Sequence, residues 1–227
     1  MKRKKLTLAQ KVNVLRAIVM GANDGILSVA GIVIGVAGAS AGNFAIFISG
    51  IAGMLAGTVS MAMGEYVSVN AEKDSQKQAI ENEKQALKED YAHEFDFVRQ
   101  KYLKKGIKPA LVEKAVDEMM TENALRTMVR ERYGFNLGEF TSPYAAAIAS
   151  MISFPLGSIL PLCSISFLPS SIKVIGTFIA VIFALAITGF IAAELSHANK
   201  IHGTIRNVIS GIITMLVTYG IGRLFGH

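Results

Sequence analysis

Five apolar runs, each about as long as a helix needs to cross ~30 Å of hydrocarbon, lie between blocks that hold nearly all of the charge. The 23 Lys and Arg and 17 Asp and Glu residues fall almost entirely within 2–16, 65–139 and 194–206. A soluble domain cannot bury five such runs, so the chain is expected to be all-α and membrane-embedded. Composition agrees. The chain is 52% hydrophobic before its 21 glycines are counted, against about 45–50% with glycine included in a soluble domain. The spans are placed at 18–40, 43–69, 143–165, 172–193 and 204–225. Spans 1 and 2 form a hairpin through Ser40-Ala41-Gly42-Asn43, and Pro169-Ser170-Ser171 joins spans 3 and 4. The fold class is thus a multi-pass membrane protein of five transmembrane helices with an inserted cytoplasmic helical domain. Its divisions are 1–69, 70–139 and 140–227.

Orientation follows from the basic residues. Six lie in the N-terminal segment (Lys2, Arg3, Lys4, Lys5, Lys11, Arg16), thirteen in 70–140, and two (Lys200, Arg206) between spans 4 and 5. The other side has Lys173 and Arg223. An excess of Lys and Arg marks the cytoplasmic face, so the N-terminus and 70–139 are expected there and the C-terminus opposite. This accounts for the net charge of +6 without nucleic acid. The basic start followed by an apolar run resembles a signal peptide, but the run is long and more spans follow, so it reads as a retained helix. Short tails and compact loops favour a prokaryotic cell membrane over a vacuolar one. Cys163 is the single cysteine, which leaves no intrachain disulfide and no cysteine-based zinc site.

Residues 70–139 are polar, with apolar positions at helical spacing. A long helix is expected to continue from span 2 to Leu103, with a possible break at Asp90-Tyr91. Lys104-Lys105-Gly106 is a stop signal. A further helix starts at Pro109 and ends before Gly134. A domain of this size has a thin core, and packing against a second copy would supplement it, so a homodimer is expected. Gly21/Gly25, Gly31/Gly35 and Gly53/Gly57 have the spacing that brings membrane helices close. They serve either tight packing or the lining of a pathway or dimer seam.

Ionisable residues at bilayer depth are functional candidates, because a charge there costs several kcal/mol. Asp24 stands in Gly21-Ala22-Asn23-Asp24-Gly25, and Glu65 in Ser60-Met61-Ala62-Met63-Gly64-Glu65-Tyr66. Neither has a Lys or Arg nearby in its own helix. Each either reaches interfacial water or requires a passing cation or a proton. Met61 and Met63 are either apolar filler or soft thioether ligands suited to Fe(II) or Cu(I). In 70–139, Glu81, Glu83, Glu89 and Glu94 lie on the first helix. Glu113, Asp117, Glu118 and Glu122 lie on the later one, with Met119-Met120 between. Carboxylates from facing helices bind iron in some bundles; a solvated charged face is the plainer reading. His93, His197 and His202 are isolated. No nucleotide, zinc-hydrolase or nucleophile motif is present, so no enzyme is expected.

Several pieces together resemble the vacuolar iron transporter family: Arg16-Ala17 with Gly21-Ala22-Asn23-Asp24-Gly25-Ile26, and Ala56-Gly57 with Ser60 through Ser68. Ser142-Pro143, Ser153-Phe154 with Gly157 and Pro161-Leu162, and Val217 through Gly222 support it. The resemblance covers nearly the whole chain. It implies a homodimer with five spans per subunit and a cytoplasmic metal-binding domain. It also implies exchange of Fe(II), and often Mn(II), for protons along a path at the dimer interface. Asp24 and Met61 match the path residues; Glu65, Met63 and Asn23 lie beside them. Metal is substrate here, with no permanently bound cofactor. In the cytoplasmic domain Glu83, Glu94, Glu118, Met119 and Met120 match the pattern and Glu81 and Glu122 adjoin it. Ala86, Phe97 and Asn123 depart from it at acidic places. A proton-coupled metal exporter is the expected function. The alternative is a metal sensor or scaffold in the membrane without transport.

Overall fold

The computed structural model describes residues 8–226. The basic residues Lys2, Arg3, Lys4 and Lys5 lie outside the described residues. Seven helices are present among those described: α1 (Leu8–Gly38), α2 (Asn43–Glu89), α3 (Tyr91–Lys104), α4 (Pro109–Tyr133), α5 (Pro143–Phe167), α6 (Lys173–Leu195) and α7 (Lys200–Phe225). Five of them (α1, α2, α5, α6, α7) are long and apolar enough to cross a membrane. The chain divides into two compact units. One comprises Ser68–Ser142 with the described residues up to Gln10; the other comprises Lys11–Val67 and 143–226.

In the membrane unit α1 is the central helix. A Cβ on Gly25 would stand 2.1 Å from the Phe154 carbonyl oxygen of α5. One on Gly222 of α7 would stand 2.0 Å from the Gly35 carbonyl oxygen, and one on Gly53 of α2 2.4 Å from Ile32 Cδ1. These small residues are therefore used in packing within one chain. Lipid gives helices no hydrophobic drive to associate, so close backbone contact supplies the dispersion energy. Val29, Val33, Ile34, Phe154, Leu185 and Met215 fill the core. The Tyr66 and Tyr144 rings meet at a tilt of 59° with centroids 5.4 Å apart. Pro155 and Pro161 lie inside α5 without ending it, as neighbouring helices allow in a membrane.

Two expected boundaries differ. Helix 1 is already formed at Leu8, the first described residue, rather than starting at 18, because residues 8–17 contain no helix breaker and hydropathy marks only the part at bilayer depth. Helix 5 begins at Lys200 rather than 204, because Asn199 caps it by accepting from the Ile201 and His202 amides at 3.0 and 3.2 Å.

In the polar unit, residues 68–89 of α2 are joined by α3 and α4 around Val98, Val112, Val116, Met120 and Met128. The chain breaks at Asp90, whose side chain caps α3 by accepting from the His93 amide at 2.9 Å. Gly106 and Gly134 end their helices with φ of 80° and 76°, where a side chain is disfavoured. A break absent from the sequence reading falls at Asn123, which leaves helical geometry and accepts from the Arg126 amide at 2.9 Å. It acts as an N-cap for the second half of α4.

Glu131 ties α4 to α3. Burial pushes its carboxyl up, but bonds from Lys101 (3.1 Å), Tyr102 Oη (3.0 Å) and Arg130 (3.1 Å) prevail and hold it below its ordinary 4.5. The stability gained from a depressed carboxylate is present above the unfolded pKa and lost as pH falls through the folded one. Acidification below pH 4.5 is therefore expected to lower the protection of amides across α3 and α4, measured against the intrinsic exchange rate at each pH. Glu131→Gln should remove part of that pH dependence; an unchanged profile in the variant would contradict the assignment.

Candidate functional site

The Asp24 segment is shaped by its glycines. Gly21 and Gly25 turn one side of α1 onto α5, where Ser153 Oγ stands 2.0 Å from the position of a Gly21 Cβ. Asn23 is held within the bundle. Its side-chain oxygen accepts from Asn207 Nδ2 at 2.7 Å and from Thr188 Oγ1 at 3.4 Å, which links α1 to α7 and α6. Asp24 is exposed on the chain surface. Among the described residues its one side-chain partner is Ser28, which donates from Oγ at 3.1 Å, and no basic group pairs with it. A carboxylate thus stands on the outer face of a membrane-length helix with one hydroxyl for company.

Glu65 has a different environment. Its side chain is 9% exposed and pairs with Arg16 Nη2 at 3.1 Å. Arg16 Nη1 also approaches Met20 Sδ at 3.3 Å. The expectation that Glu65 has no built-in counter-ion is therefore corrected. The nearest Lys or Arg in its own helix is Lys73; the counter-ion comes instead from α1, 49 residues away in sequence, where spacing along one helix gives no sign of it. Removing one partner of a largely buried pair leaves the other charge uncompensated. Arg16→Gln is expected to lower the melting temperature in detergent, and Arg16→Gln with Glu65→Gln to recover part of the loss. Arg16 is 45% exposed, so screening reduces the effect. Equal melting of the single and double variants would contradict the coupling.

Met61 is partly buried against the core that contains Phe154, whereas Met63 is 55% exposed. Gly64 beside it has nothing within 4 Å of an added Cβ.

The acidic residues of the polar unit separate into pairs. Glu83 and Glu94 are both buried and both bind Arg132. Burial pushes the Glu83 carboxyl up; the Arg132 charge opposes that, and Glu94 adds to it. Glu81 pairs with Lys84 at 3.1 Å, and Glu113 with Arg99 at 2.5 Å. Glu118 and Glu122 are exposed. Glu122 lines a cavity of about 290 Å³ together with Met119, Arg126 and Arg130, a setting in which basic groups outnumber the carboxylate. Met119 Sδ faces Arg130 Nη2 at 3.9 Å, and Met120 is in the core. Among the described residues no group of three or more His, Cys, Asp or Glu side chains converges to hold a metal ion. Of the residues that organise these carboxylates, Arg16 enters the sequence reading only as a topology charge and a piece of the family motif, and Arg132 is not singled out; neither is read there as a counter-ion. Each looks like an ordinary basic residue near a helix end.

The sequence model of the VIT family matches residues 15–223. A vacuolar iron transporter from Acanthamoeba castellanii is 32% identical over 211 residues, covering 92% of this chain and 78% of the relative. Vacuolar iron transporter homolog 1 from Oryza sativa subsp. japonica is 33% identical over 213 residues, with 93% and 74% covered. Vacuolar iron transporter homolog 2 from the same organism is 33% identical over 216 residues, with 93% and 90% covered.

Proposed function

The chain belongs to the VIT family, and on that premise we propose that it is a proton-coupled transporter that exports Fe(II), and also Mn(II), from the cytosol. Family membership and relatives named for iron transport support metal transport in general, and a transporter rather than an enzyme. The observation that carries the finer reading is Asp24, a carboxylate exposed on a spanning helix without a cationic partner. Facing acyl chains, it would cost about 2.5–3.5 kcal/mol on insertion scales, and more in simulations. A second copy of the chain covering that face, with a polar path between the copies, removes the cost. The homodimer belongs to this proposal for that reason.

In this reading Asp24 supplies the charge that draws a divalent ion into the membrane. Met61 offers a thioether, which binds Fe(II) without holding it strongly. Met63 lies two residues on, Glu65 adds a carboxylate whose present counter-ion is Arg16, and Asn23 fixes the helix that carries Asp24. Protonation of a carboxylate removes the charge that holds the metal, so an acidic far side favours release. The distribution of Lys and Arg supports a cytosolic N-terminus and a cytosolic 70–139. There Glu118 is exposed, whereas Glu81 is paired with Lys84 and Glu122 shares its cavity with Arg126 and Arg130, so that unit offers few free carboxylates to an arriving ion.

Purified protein in liposomes with an acidic lumen, given Fe(II) or Mn(II) outside, tests the reading. Accumulation that depends on the pH gradient is expected of protein inserted with 70–139 outward. A sensor or scaffold would leave the lumen free of metal.

A further inference from the structure

The cluster around Arg132 has the charge logic of a cation site. Glu83 comes from α2, Glu94 from α3 and Arg132 from α4. The Glu83 side chain is 0% exposed, that of Glu94 6% and that of Arg132 25%. Two carboxylates withdrawn from water near one another repel and lose hydration, so they are stable only with a cation between them or with a proton on one of them. Arg132 Nη1 donates to both Glu83 oxygens at 2.9 and 3.0 Å, and Nη2 donates to Glu94 Oε2 at 2.5 Å. The guanidinium carbon also lies 4.4 Å from the centroid of the Phe97 ring, a position in which the ring face attracts a cation.

The oxygen inventory is then nearly closed. Three of the four carboxylate oxygens are engaged by Arg132. The fourth, Glu94 Oε1, is 3.4 Å from His93 Nδ1. A divalent ion that prefers oxygen needs several such ligands free at once. It also experiences repulsion from the guanidinium already in place.

We propose that Glu83 and Glu94 form a cation site permanently filled by the chain's own Arg132, and that a neutral residue at 132 uncovers a site for a divalent cation. In the native protein the Ser68–Ser142 unit accordingly holds its fold with metal absent. The tethered cation joins three helices, as a bound ion would, and is not lost to chelators. With the guanidinium removed, two buried carboxylates face one another with no cation between them, and a divalent ion that accepts oxygen ligands, such as Mn(II), can take its place. None of this depends on transport through the membrane unit, which variants of Asp24 test separately.

The test is amide hydrogen exchange on the full-length protein in detergent, read on peptides that cover 80–96 and 124–133. Each sample is measured in EDTA and in Mn(II). Native peptides are expected to exchange at the same rate in both. In Arg132→Ala, exchange in EDTA should rise at least tenfold, and Mn(II) should reverse most of the rise. Glu83→Gln and Glu94→Gln added to that variant should abolish the Mn(II) response. Arg132→Gln, closer in size, is the second variant should Arg132→Ala fail to fold in EDTA. Folding of either with Mn(II) alone supports the proposal. Mn(II)-dependent protection of the native peptides would overturn it. So would the absence of any Mn(II) response in both variants, or failure of both to fold with Mn(II) present.

Discussion

Asp24→Asn is expected to reduce metal uptake into liposomes at least tenfold while leaving the protein as stable as the native form or more so. The two halves of that result have one cause. Asparagine keeps the shape and can still accept from Ser28, which donates to Asp24 Oδ1 at 3.1 Å. It removes the charge. A charge at bilayer depth is costly unless something compensates it, so its removal relieves the resting protein. If the charge exists to draw in a divalent ion, the same removal abolishes the attraction. Loss of transport with retained or higher melting temperature separates this from general damage, in which both fall together. Uptake unchanged in Asp24→Asn would exclude the carboxylate from the path. A large loss of stability would show instead that Asp24 is part of the packing. Metal uptake by calcein quenching and thermal melting on the same preparation give both readings.

Gly157→Ala should have the opposite signature, with stability and uptake lost together. A Cβ at 157 would lie 2.1 Å from the Ala22 carbonyl oxygen and 2.9 Å from its carbon. Both are backbone atoms, so no rotamer change relieves the clash and α1 must move away from α5. Over-packing of this kind costs about 1–3 kcal/mol, occasionally more. Ala22 is two residues before Asp24 and adjoins Asn23, whose bonds to Asn207 and Thr188 set the rotation of α1. A shift there misplaces the carboxylate as well as loosening the bundle. Gly220→Ala is the control. Nothing lies within 4 Å of its added Cβ, and alanine favours the helix by about 1 kcal/mol, so it should melt no lower than the native protein. If Gly157→Ala melts like Gly220→Ala, the close α1–α5 crossing is not as described.

The helices were legible because each is written locally. Apolar runs, Pro109, and the glycines at 106 and 134 act within a few residues of the boundaries they set. The glycine pairs of α1 announced close packing, and α5 and α7 are what they pack against. Asp24 stood out for a similarly local reason, as a lone carboxylate in an apolar run. The partners of Glu65, Glu83 and Glu94 were not legible. Arg16 lies 49 residues from Glu65, Arg132 lies 49 from Glu83 and 38 from Glu94, and no periodicity relates residues so far apart. Carboxylates on a helix look the same in sequence whether they await a metal ion or already hold a guanidinium. The cap at Asn123 was missed for a related reason. Its side chain replaces a helical hydrogen bond in mid-pattern, while the apolar positions on either side continue to read as one helix.

Central to the proposed function is a metal ion moving one way as protons move the other. The direct measurement is lumenal pH in liposomes that carry the native protein, recorded as Fe(II), Mn(II), Zn(II) or Mg(II) is added outside an acidic interior. Lumenal pH is expected to rise at once on addition of Fe(II) or Mn(II), with little response to Mg(II) and none in liposomes carrying Asp24→Asn. A native protein that binds these ions yet leaves lumenal pH unmoved would contradict it.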